Sequence, residues 1–116
     1  MILAVDRNQR NLDLLTDLLS KKGYETRGAV TLEEFDGALE GERDISLALV
    51  DVAGFDPAIW QRCDRLREAR IPFLVISARR LTHVEEASLA HGARNVLVKP
   101  LVVERLLGVV RGLLGR

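Results

Sequence analysis

Short apolar runs alternate with longer amphipathic stretches along this chain, and that alternation leaves few architectures open. The runs fall at 2–5, 45–50 (broken only by Ser46), 73–76 and 96–98, with a weaker one at 25–29. The four stronger runs lack in/out alternation, as strands covered on both faces do. Between them apolar residues recur at helical spacing over 10–22, 32–39, 58–69, 83–91 and 102–114. Thr31 with Glu34 and Thr82 with Glu85 match the capping box, and Asp56 followed by Pro57 reads as an N-cap and a first-turn proline. Gly23 and Gly92 supply stops. The order is therefore (βα) five times. With right-handed crossovers it predicts an α/β fold, an open parallel five-stranded sheet with helices on both faces. At 116 residues the chain can bury one shared core, so residues 1–116 are expected to form a single domain.

Composition narrows what such a domain does. Lys plus Arg and Asp plus Glu are equal at 17 each, so no global field draws the chain to nucleic acid or to an anionic membrane. The one cysteine, Cys63, cannot close an internal disulfide and is expected as a packed, idle thiol on a helix. The apolar run at 2–5 is too short for a signal peptide or a membrane span, and a cytoplasmic location is expected.

In an open parallel sheet, function sits at the carboxyl ends of the strands, where the order of connection reverses. The first run ends in Asp6, the third in Asp51, the fourth in Ser77, and the fifth in Lys99-Pro100. Each has a plain structural explanation, since an Asp or Ser after a strand often caps the next helix and a loop Lys is usually solvated. Two carboxylates, a hydroxyl and an ammonium converging on one rim are harder to explain that way.

The segments ILAVD, LALVD, FLVISA and GARNVLVKPL, in that order, resemble the receiver domains of two-component response regulators, the CheY-like family. The resemblance covers essentially the whole chain. Asp6 and Asp51 are 45 positions apart and Ser77 and Lys99 are 22 apart, both as the family usually has them. Asp51 and Ser77 are 26 apart, a few fewer than usual, and the shortage is placed in the loop 52–56 or the helix after it. The resemblance implies the flavodoxin-like strand order 2-1-3-4-5, for which this family is itself a standard illustration. It also implies a signalling phosphoacceptor that catalyses only its own phosphorylation and dephosphorylation. Asp51 would accept a phosphoryl group from a sensor histidine kinase or phosphotransfer protein. Asp6, Asp51 and the backbone carbonyl of Ala53 would hold Mg2+, a hard ion suited to such oxygens. Lys99 would pair with one phosphoryl oxygen and Ser77 would donate to another. Ala78 would leave the group room, and Ala53 and Arg79 match positions that tune its lifetime.

Two positions depart from the family pattern. Arg7 stands where a second acidic residue normally ligates the metal. Exchanging minus one for plus one about 6 Å from a divalent ion costs on the order of 3 kcal/mol even at the dielectric of water. That is about two powers of ten in affinity, so a weakened metal site is expected unless the Arg7 head turns to solvent or pairs with Asp51 or Asp13. Val96 stands where receivers carry an inward-turning Tyr or Phe. Its single stiff torsion offers no such rotor, so any switch must work through loop shifts or oligomerisation. Both departures favour an alternative, a pseudo-receiver that binds proteins without phosphorylation. A haloacid-dehalogenase-type phosphotransferase needs an Asp two residues after the nucleophile, where this chain has Ala53. A flavodoxin relative needs phosphate donors that 7–11 lacks, and no P-loop occurs. The last helix carries an apolar arc wider than one sheet requires, including Val102, Val103, Val109 and Leu113. Either neighbouring side chains shade the excess, or the region 83–114 is a docking face, such as one for a homodimer.

Overall fold

The computed structural model describes residues 1–41, 44–78 and 82–115. Arg79, named above for the phosphoryl lifetime, lies outside the described residues. In chain order the elements are β1 (Ile2–Val5), α1 (Gln9–Lys21), β2 (Thr26–Ala29), α2 (Leu32–Gly41), β3 (Leu47–Asp51), α3 (Ile59–Glu68), β4 (Phe73–Ser77), α4 (Thr82–Ala90), β5 (Asn95–Val98) and α5 (Val103–Leu114). All strand pairs are parallel and the order is β2-β1-β3-β4-β5, as the resemblance implied.

Alternate residues of each strand face opposite layers. Ile2, Ala4, Leu47, Leu49, Leu74 and Ile76 pack under α1 and α5, against Leu15, Leu19, Leu106 and Val110. Leu3, Val5, Ala48, Val50, Phe73 and Val75 pack on the other side, against Phe35 of α2 and Ile59, Cys63 and Leu66 of α3. β1, β3 and β4 are buried along their whole length, which is why their sequences are unbroken apolar runs. Cys63 is fully buried, and burial, with a smaller push from Asp64, raises its thiol pKa to about 12. It is a packing thiol, with no thiolate to offer.

The weak second run is explained by its neighbour. A Cβ on Gly28 would sit 2.9 Å from Leu12 Cδ2, so the glycine in β2 lets α1 lie close against the edge of the sheet. Thr31 caps α2 through the Glu34 N–H at 3.1 Å, while the Glu34 carboxylate reaches back to the Val30 N–H at 2.8 Å, one residue earlier than the standard box. Gly23 and Gly92 have φ of 89° and 97° and end α1 and α4 as expected. The fourth helix is braced from α3, where Trp60 stacks on His91 at 5.4 Å and Asp64 meets His91 Nδ1 at 2.5 Å.

α4 begins at Thr82. Asp56 accepts from the Ala58 N–H at 2.9 Å, and the N–H groups of Ile59, Trp60 and Gln61 donate to the carbonyls three residues earlier, so the turn at Asp56-Pro57 leads directly into α3, which spans Ile59–Glu68.

Gly28→Val is expected to destabilise the fold by about 1–3 kcal/mol through overpacking against the buried Leu12. Urea unfolding would check this, and an unchanged midpoint would show that α1 can move outward freely.

Candidate functional site

Strand register assembles the site. β1 is aligned with β3 so that Val5 lies beside Val50, and Asp6 and Asp51 follow at adjacent strand ends. Asp51 in turn aligns with Ile76, and the Lys99 N–H donates to the Ser77 carbonyl at 2.9 Å, which seats the fifth strand's exit over the same edge. Apolar strands place these ends in the protein interior. Asp51 is 1% exposed, Ser77 4% and Asp6 6%.

Each carboxylate is tied to its own loop. Asp6 Oδ1 accepts the Asn8 N–H at 2.8 Å, and Asp51 Oδ1 accepts the Ala53 N–H at 3.0 Å, two short turns that hold both acids at the rim. The remaining oxygen, Asp51 Oδ2, forms an ion pair with Lys99 Nζ. It is nonetheless a buried oxygen with no well-directed hydrogen bond from the described residues. A carboxylate oxygen so paired has lone-pair capacity for a further partner. Burial and the neighbouring Asp51 carboxylate hold the Asp6 pKa above its ordinary 3.8, against the opposing pull of the Asn8 N–H and Lys99, with burial the largest cause.

Asp6, Asp51, Ser77 and Lys99 thus gather at one edge of the sheet, with Ala53 in the loop after Asp51. Ala78 lines a groove of about 710 Å³ together with Asp6, Asp51, Lys99 and apolar residues of α1 and α5. Arg7 is exposed at the mouth, and its Cδ lies 3.5 Å from where a Cβ on Gly54 would be. Among the described residues no ion pair joins it to Asp51 or Asp13. Val96 is half-buried against the α2–α3 side of the core. Sequence reasoning missed Asn8, Asn11 and Gly54, which line the mouth with Arg7. Asn8 left a signal that went unread, an Asx residue just before a helix, and its side chain caps α1 through the Asn11 N–H at 3.0 Å.

The oxygens suit a hard divalent cation better than the charge does. Two carboxylates, one with an under-satisfied buried oxygen, and a backbone carbonyl are appropriate donors. No group of three His, Cys, Asp or Glu side chains that could hold a metal occurs among the described residues, and Arg7 brings the opposing charge. The set fits such an ion, weakly.

Because the folded state holds the Asp6 proton more tightly than the unfolded chain does, stability falls as pH rises from 3.8 through the raised folded value. Above that value the buried charge is fully unfavourable. In a chelating buffer Asp6→Asn is therefore expected to unfold at higher urea than the parent at pH 7, with the difference closing in acid. A lower midpoint at pH 7 would show that the Asn8 and Lys99 interactions outweigh burial.

No family model matches the chain. Among curated proteins, the polar-differentiation response regulator DivK of Brucella ovis is 31% identical over 119 aligned positions, spanning 98% of this chain and 95% of that protein. Among solved structures, a CheY-like response regulator receiver domain protein from Methanospirillum hungatei JF-1 superposes with a TM-score of 0.86 at 26% identity, over 96% of this chain and 90% of that one. A two-component response regulator from Clostridium difficile superposes with a TM-score of 0.89 at 25% identity, over 99% and 95%. With that similarity running the length of the chain, over a sheet of the same order and an acidic rim at its carboxyl edge, this protein belongs to the response-regulator family as a receiver domain of two-component signalling.

Proposed function

We propose that Asp51 is the phosphoacceptor, and that residues 1–116 act as one cytoplasmic receiver domain loaded by a sensor histidine kinase or a phosphotransfer protein. The observation that carries this reading is the state of Asp51: a carboxylate 1% exposed, at the end of a central strand, with one oxygen paired to the Lys99 ammonium. A carboxylate is a modest nucleophile towards an anionic phosphate, so positioning and charge neutralisation must do most of the catalysis. The Ala53 N–H fixes the orientation of Asp51. Lys99 offsets the acceptor's charge and would follow the phosphoryl oxygens once the carboxylate is esterified. Ser77, at the end of the next strand, would donate to a second phosphoryl oxygen and carry the change into the loop before α4. Asp6, Asp51 and the Ala53 carbonyl would hold Mg2+ weakly, and when bound it would supply positive charge against the phosphoryl oxygens.

The output surface is assigned to the region 83–114. Packing removes most of the apolar excess on α5, since Leu106, Leu107 and Val110 are buried and Val109, Leu113 and Leu114 lie against the core. Val102 and Val103 remain 62% and 44% exposed. A homodimer through this face would cover them. With Val96 in place of an aromatic rotor, the signal would reach that face through the loops around Ser77 and Lys99.

Acetyl phosphate is expected to add one phosphoryl group by intact mass, labile to hydroxylamine as an acyl phosphate is and absent in Asp51→Asn. Label surviving in Asp51→Asn would move the site. No label at any tolerable donor concentration would leave phosphorylation-independent protein binding as the function, a reading that Arg7 favours. Sedimentation over a concentration series is expected to show association that Val102→Glu with Val103→Glu abolishes. A parent monomeric at high micromolar concentration, with and without phosphodonor, would rule out self-pairing.

A further inference from the structure

Arg7 is the mouth residue that the reading above leaves without a task. It follows Asp6 directly, in the loop between β1 and α1, and its stem crosses to the loop after β3, where Gly54 receives it. Gly54 has φ of +78°, a conformation L side chains rarely adopt, so the position opposite the Arg7 stem stays bare. Arg7, Asn8, Asn11, Gly54 and Lys99 border an open cavity of about 360 Å³ with Asp6 at its edge. Asp51 lines the neighbouring groove, which shares Asp6, Asn11 and Lys99 with this cavity. Lys99 pairs with Asp51 and also lines this cavity together with Arg7, so an anion seated in it would meet both cations.

The charge balance of this mouth differs from one built around a divalent ion. Asp6 and Asp51 against Arg7 and Lys99 leave zero net charge. An acid at position 7 would leave minus two, the charge that one divalent cation cancels. After phosphorylation Asp51 carries about two negative charges. The four groups then sum to minus one, the same total as an acid at position 7 with a divalent ion bound. A guanidinium is also suited to the task chemically, as its planar fork matches phosphate oxygens in pairs and it is less strongly hydrated than an ammonium.

We infer that Arg7 replaces the positive charge of a divalent ion, so that the mouth over Asp51 binds a phosphoryl oxyanion, and Asp51 accepts a phosphoryl group, without metal. This rests on Asp51 being the phosphoacceptor. With acetyl phosphate as donor, an Asp51 carboxylate oxygen forms a bond to phosphorus, the bond from phosphorus to the acetyl oxygen breaks, and acetate leaves with the electron pair. No net proton or electron is exchanged. Any Mg2+ bound by the two carboxylates is then supplementary.

The test uses the full chain and its Arg7→Ala and Arg7→Asp variants, each in EDTA and in Mg2+. Intact mass with acetyl phosphate should show the parent labelled in EDTA at a rate within about tenfold of that in Mg2+, and Arg7→Ala at least about tenfold slower in EDTA. Arg7→Asp should label only with Mg2+ and bind Mg2+ at least about tenfold more tightly than the parent. Parent labelling that EDTA abolishes and Mg2+ restores would overturn the inference while leaving Asp51 as acceptor. If nothing labels under either condition, the phosphoacceptor reading fails, and the anion site is judged by binding alone. Titration of inorganic phosphate in EDTA, followed by the amide shifts of Ala53 and Gly54, should show saturable binding by the parent and at least about fivefold weaker binding by Arg7→Ala. Equal binding by the two proteins, or none by the parent, would refute the site.

Discussion

A sheet covered on both faces leaves polar side chains only its strand ends. β1, β3 and β4 are buried throughout, and a carboxylate or ammonium placed mid-strand would lie in apolar surroundings with no partner. The chain's chemistry is therefore confined to the rim where Asp6, Asp51, Ser77 and Lys99 emerge. Because the strands are parallel and in register, these side chains emerge together. The same packing that stabilises the fold excludes water from Asp51 and makes each charge beside it count for more.

The rim is an electrostatic compromise. At Asp6, burial and, to a smaller degree, the neighbouring Asp51 carboxylate raise the cost of ionisation. Short turns to the Asn8 and Ala53 N–H groups and the Lys99 contact offset part of it. The offset is incomplete, since Asp51 Oδ2 keeps an unsatisfied buried acceptor. A buried polar atom of that kind is destabilising in the resting molecule and available to a cation or to phosphorus in the working one. Arg7 alters this balance from outside. It is exposed, lines the open mouth with Asp6 and Lys99 and forms no ion pair with Asp51 or Asp13, which would make it a lever on ion and phosphate binding more than on folding.

The elements around the rim differ in how firmly they are held. α1 is anchored by Leu12 over Gly28 and by the Asn8 cap, and α5 by three fully covered aliphatic residues. α4 buries only Ser88 and is braced mainly at its far end, through the His91 contacts with Trp60 and Asp64. An element with so little apolar burial beside the Ser77 exit opens at lower free energy than its neighbours. That suits the position through which a change at Asp51 would leave the site.

The sequence alone determined the class of fold, the element order and the residues at the rim, because a doubly covered strand must be an unbroken apolar run and whatever polar residue ends it is marked by contrast. It marked β2 only faintly, since its glycine exists for the close approach of Leu12, a contact made by a residue on another element. It marked the entry to α3 at Asp56-Pro57, where i→i+3 bonds lead into a helix that spans Ile59–Glu68. It left open how much of the apolar arc on α5 is shaded, and the structure places Val109 partly buried against the core while Val102 stays exposed. Tertiary structure alone decided which oxygen of Asp51 is left under-satisfied, that Asn8, Asn11 and Gly54 belong to the mouth, and that the Arg7 stem lies over Gly54 and makes no ion pair with Asp51 or Asp13. Those outcomes depend on the relative placement of two loops tens of residues apart, and local periodicity carries no record of that distance.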